Sequence, residues 1–74
     1  MGSAVCVRRD YAYVADGDRG LHIIDVSSPS SPREVGAFDT AGYALGVFVQ
    51  GRHAYVADHS TGLLVFQLPA AVIP

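Results

Sequence analysis

Two aspartates one residue apart, Asp16-x-Asp18, followed by Gly20, have the most metal-like spacing in the chain. They bear a loose likeness to the opening of a calcium loop, in which carboxylate and other oxygen ligands alternate along the backbone. The EF-hand pattern needs a third oxygen side chain where Gly20 stands and a glutamate where Ser27 stands, and neither is present. A local role explains the same residues better. Aspartate side chains accept backbone hydrogen bonds in tight turns, and glycine supplies the positive φ that such turns require. His22, His53 and His59 do not make a zinc set either, since no Cys-x-x-Cys or His-Glu-x-x-His accompanies them. Serines 27, 28, 30 and 31 lie in a Ser/Pro run with no Gly-x-Ser-x-Gly elbow. Glu34 is the only glutamate, and no aspartate pair is set apart from turns for acid–base work. No catalytic residue, metal site or cofactor is expected.

What remains is a set of polar residues in turns and links: Asp16, Asp18, Asp39, Thr40, Tyr43, Asp58 and His59. Their value depends on whether the fold gathers them. The elements that would do so are visible because the chain repeats itself with a period of 42 residues. Ala12-Tyr13-Val14-Ala15-Asp16 returns as Ala54-Tyr55-Val56-Ala57-Asp58, and Gly20-Leu21 returns as Gly62-Leu63. Seven of the fifteen positions in 12–26 are identical in 54–68. A 40–45-residue repeat built from short strands has the period of a β-propeller blade.

Short apolar runs separated by Gly, Pro and Asp predict strands near 4–7, 11–15, 21–26 and 33–38 in a first unit (1–42). Strands near 44–49, 53–57 and 63–68 are expected in an incomplete second unit (43–74). That is about 1.75 blades of antiparallel all-β structure, with 70–73 as a substitute edge strand. Ala4–Val7 and Leu63–Phe66 are apolar without alternation, so both faces of each sheet are expected to be covered. The strand near 33–38 carries Arg33, Glu34 and Gly36, which suits an outer edge. Cys6 falls in an apolar strand, aligns with Phe48 of the second copy, and reads as a small buried hydrophobe.

The phrase Ala12–Pro32 resembles the LVIVD repeat of bacterial and archaeal proteins almost continuously, and 35–47 is similar to its next part. The second copy departs from it where His59-Ser60-Thr61 replaces Gly17-Asp18-Arg19 and Gln67 replaces Asp25. The resemblance implies a β-propeller fold, often in surface or extracellular parents, and brings no catalytic residues.

Bulk properties narrow the partners. A net charge of −2, five arginines that form no stripe and no lysine speak against nucleic acid. No apolar run approaches the ~20 residues of a membrane span, and no signal peptide is expected before the first strand. Half of the residues are apolar, and two blades alone would leave broad apolar faces in water. The chain is therefore expected to associate with itself into a closed ring. Three copies would give six blades and four would give eight, within the range in which propellers close; the trimer is favoured. The expected function is a non-catalytic, self-assembling propeller module or propeller fragment with a structural role. The alternative is a binding module that recognises a metal, glycan or peptide. In that case the turns between second and third strands and the link between blades would place the seven polar residues above around a central mouth.

Overall fold

The computed structural model describes residues 4–40, 42–59 and 62–70. Among these residues seven strands are formed: β1 (Ala4–Arg8), β2 (Tyr11–Ala15), β3 (Leu21–Asp25), β4 (Arg33–Phe38), β5 (Ala44–Gln50), β6 (His53–Asp58) and β7 (Gly62–Gln67). They make a four-stranded sheet in the order β1-β2-β3-β4 and a three-stranded sheet in the order β5-β6-β7. Every neighbouring pair is antiparallel. The chain is therefore all-β, one meander of four strands followed by one of three. The edge strand expected over 70–73 falls, from residue 71 on, outside the described residues.

The repeat extends to the hydrogen bonds. Val26 N–H donates to the Asp10 carbonyl at 2.8 Å, and Leu68 N–H donates to the Arg52 carbonyl at 2.7 Å, 42 residues on. Each bond ties the end of a third strand to the turn between the first two. Both sheets also carry one irregularity. The β3–β4 register shifts so that Ile23 faces Gly36 while Ile24 faces Glu34, which leaves Val35 as the extra residue. The β5–β6 register shifts around Leu45 in the same manner. A bulge of this kind bends and twists its strand, and bulges collect at sheet edges.

The core is the seam between the two sheets. Alternation along each strand sends Cys6, Tyr13, Leu21 and Ile23 of the first sheet to one side. There they form a single buried cluster with Val49, Ala54 and Val56 of the second. Val47, Leu64, Phe66 and Phe38 pack against it, and the rings of Phe38 and Phe66 stack with centroids 5.0 Å apart. Tyr13, at 1 % exposure, is the largest side chain fully enclosed. Burial first, then neighbouring Tyr11 and Cys6, push its phenol above the ordinary value of 10.0. Cys6 is a free thiol on this buried side. Strand β4 is the most exposed strand of the first sheet, in keeping with its charged residues.

Candidate functional site

Backbone hydrogen bonds tie together the loop end of the blade pair. The turn from Asp16 to Gly20 is closed by Asp16 N–H to the Gly20 carbonyl at 2.8 Å and Arg19 N–H to the Asp16 carbonyl at 2.9 Å. Gly17 and Gly20 hold φ values of 55° and 82°, in the left-handed region where side chains are strained. Gly17 then crosses to the second sheet. Its N–H donates to the Ala44 carbonyl at 3.1 Å and its carbonyl accepts from Ala44 N–H at 2.9 Å. A two-residue antiparallel bridge thus joins the β2–β3 turn of one blade to the first strand of the next. On the second blade, His59 N–H donates to the Tyr43 carbonyl at 2.9 Å. Asp16, Tyr43, Asp58 and His59 are thereby drawn to the same end.

The link residues complete this end. A Cβ on Gly20 would collide with the Phe38 carbonyl oxygen and lie 3.3 Å from the Asp39 Cα. The link therefore passes directly over the turn, and Asp39 stands beside it. Of the seven residues singled out in the sequence, Asp18, Asp39, Tyr43 and His59 are exposed or partly so, as is Asp16. Thr40 and Asp58 are not: they are 1 % and 4 % exposed. The Asp58 carboxylate lies where a side chain on Gly42 would have to go, with Oδ2 2.9 Å from an ideal Cβ there. The Thr40 hydroxyl oxygen is buried with no hydrogen-bond partner among the described residues. Two of the seven residues are thus packed into this end and five line its polar rim.

Three sets of side-chain contacts outside this end had no counterpart in the residue pattern. Arg8, at the end of β1, donates from Nε to the Val49 carbonyl at 3.1 Å and from Nη1 to the Val7 carbonyl at 3.0 Å. Its guanidinium also sits 5.3 Å from the centroid of the Phe48 ring. It clamps the inner strands of the two blades together. His22 Nδ1 lies 2.7 Å from Glu34 Oε1 across β3 and β4, a pair at the sheet surface rather than a ligand. Further along, Asp25 Oδ1 accepts from Ser27 N–H at 2.9 Å and from the Ser27 hydroxyl at 2.7 Å, starting the Ser/Pro loop. Those two bonds, the backbone one first, hold the Asp25 carboxyl below its ordinary 3.8 against the opposing effect of burial, and Arg33 adds to them. Among the described residues no three His, Cys, Asp or Glu side chains converge in a way that could hold a metal ion. No helix among them is long and apolar enough to cross a membrane.

The two meanders, related by 42 residues and stacked face to face, are matched by the LVIVD repeat over residues 1–40 and again over 41–66. The chain belongs to the LVIVD repeat family. The family's repeats are propeller-like blades, and this chain carries a four-stranded and a three-stranded one. No curated protein and no solved structure matches it.

Proposed function

We propose that this LVIVD-repeat chain is a non-catalytic structural module that builds a β-propeller by associating with itself, three copies supplying six blades. The observation that carries the reading is the exposure of large apolar side chains on both outer faces of the blade pair. Val5 and Val7 stand out on the first blade, and Phe48, Leu63 and Val65 on the second. Contiguous apolar surface of this kind is rare on a monomer, and repeat units reach stability by stacking on neighbours. Six blades lie within the four to eight at which propellers typically close.

Light scattering coupled to size exclusion, run over a dilution series, tests the proposal. A species near three times the 7.8 kDa chain mass supports the six-bladed ring, and four times that mass moves the count to eight. A folded monomer at all concentrations overturns it. A second reading, ligand binding at the loop end, is favoured by the backbone bonds that bring Asp16, Tyr43 and His59 together. Ordered ligand or metal density at the axis of the assembled ring would support it, and water alone there would leave the scaffold reading standing.

A further inference from the structure

We infer that the two outer faces of the blade pair are the two halves of one head-to-tail interface. In that arrangement the free face of the second blade seats on the free face of the first blade of another copy. The inference rests on the self-association proposed above and gives it a register.

The 42-residue repeat carries each outer face onto a surface that is already buried. Phe48, Tyr55, Leu63 and Val65 share one side of the second sheet, since Phe48 pairs with Tyr55 and Tyr55 with Val65, while Leu63 lies opposite Ala57 on the same side. Subtracting 42 gives Cys6, Tyr13, Leu21 and Ile23, the side of the first blade that is buried in the internal seam. Conversely, Val5 and Val7 pair with Val14 and Ala12 on the open side of the first sheet. Adding 42 gives Val47, Val49, Val56 and Ala54, the side of the second blade that receives the first. The chain therefore contains one complete example of the seam and displays both of its halves unfilled. Leu63 and Val65 are 65 % and 53 % exposed where Leu21 and Ile23 are fully buried; Val7 is 55 % exposed where Val49 is 3 %.

The two halves also match in bulk. Between the internal seam and the one inferred, Cys6 becomes the larger Phe48 while, on the opposite face, Phe66 becomes the smaller Ile24. Ile23 becomes the smaller Val65 and Tyr13 stays tyrosine as Tyr55, while Leu64 becomes His22, whose Nδ1 lies 2.7 Å from Glu34. Cores accept the apolar exchanges when total volume and pattern are kept. An interface in which one patch meets a different patch is heterologous, and it generates a ring when the rotation per copy closes. Two copies meeting through identical patches would instead stop at a dimer.

A complementation experiment separates these cases. One variant, Leu63→Asp with Val65→Asp, blocks the second-blade face; another, Val5→Asp with Val7→Asp, blocks the first-blade face. All four side chains are more than half exposed in the single chain, so each variant should keep the wild-type circular dichroism. Each alone is expected to run at the mass of one chain, and an equimolar mixture at the mass of two and no more. In the mixture one intact pair of unlike faces remains. A variant that still forms dimers alone, or a mixture that does not combine, overturns the face pairing even if the wild type associates. A wild type that stays monomeric overturns the self-association itself, so the two failures are distinguishable. If an aspartate variant loses its fold, Leu63→Gln and Val5→Gln replace the pair. The expected reading is then at least a roughly tenfold rise in the concentration for half-assembly of each single variant, and no rise in either overturns the pairing.

Discussion

Arg8 Nε lies 3.1 Å from the carbonyl oxygen of Val49, 41 residues away in the chain, so one side chain at the end of β1 reaches the first strand of the next blade. Its guanidinium also lies over the Phe48 ring, 5.3 Å from the centroid. A net hydrogen bond contributes about 0.5–1.5 kcal/mol, and an exposed cation–π contact about 0.5–1 kcal/mol. Arg8→Gln is therefore expected to lower the stability of the blade pair by about 1–2 kcal/mol, read as a lower urea midpoint at unchanged slope. Arg8→Lys should recover less than half of that, because an ammonium cannot donate to Val49 and lie flat against Phe48 together. A midpoint within error of wild type would mean that the seam holds without the clamp.

Gly20 and Gly62 occupy equivalent turns with nearly the same φ, 82° and 83°, yet their surroundings differ. A Cβ at Gly62 meets nothing within 4 Å, whereas at Gly20 it meets the Phe38 carbonyl. Gly62→Ala thus isolates the left-handed strain, about 1–2 kcal/mol for an L-residue. Gly20→Ala adds a backbone collision and should cost at least ~1 kcal/mol more, since the first blade has to shift its link to make room. Denaturation of both variants side by side checks the difference. Equal losses would show that the link over Gly20 yields freely.

These contrasts also mark what could be read from the residues beforehand. The 42-residue period, the short apolar runs and the turn glycines can be read from the residues themselves, and they suffice to see two blades with β4 as the exposed edge. What local signals do not carry is which side of each strand meets the other sheet. Ala4–Val7 reads as apolar throughout, but only the neighbouring blade makes Cys6 buried and Val5 exposed. Thr40 and Asp58 are polar residues of a link and a turn, and such residues usually face water. Asp58 is buried because Gly42, 16 residues earlier, leaves the space it fills. The Arg8 clamp was equally invisible, since its acceptor is a backbone carbonyl and leaves no trace in residue type.

The Gly42–Asp58 fit leads to a coupling prediction. An alanine methyl at position 42 would overlap the Asp58 carboxylate, and overpacking of this kind costs about 1–3 kcal/mol. Asp58→Ser removes the obstructing group along with its own interactions, so it also destabilises. The double variant should lose less than the sum of the two singles by at least ~0.5 kcal/mol, the signature of residues in contact. Additive losses in a double-mutant cycle would show that the carboxylate has another place to go.

Acid stability provides a test centred on Asp25. Its carboxyl is held below 3.8 by the Ser27 N–H, then by the Ser27 hydroxyl, with Arg33 contributing at 3.8 Å. A folded-state value below the unfolded one means that the unfolded chain binds the proton first as pH falls. The contribution of Asp25 is therefore fully present above its unfolded value. It is lost as pH drops from there through the lower folded value. The side chain introduced by Asp25→Asn does not titrate but keeps an oxygen to accept from Ser27. Stability of the variant, followed by urea midpoints from about pH 6 to pH 2, should fall less steeply than wild type below about pH 4, with no change in the difference between about pH 5 and pH 6. The test depends on the Ser27 bonds and not on the ion pair, because exposed pairs contribute little. Raising the salt concentration should accordingly leave the difference between the two curves in place. If the two curves run parallel through the acid range, the loop after β3 does not hold Asp25 ionised.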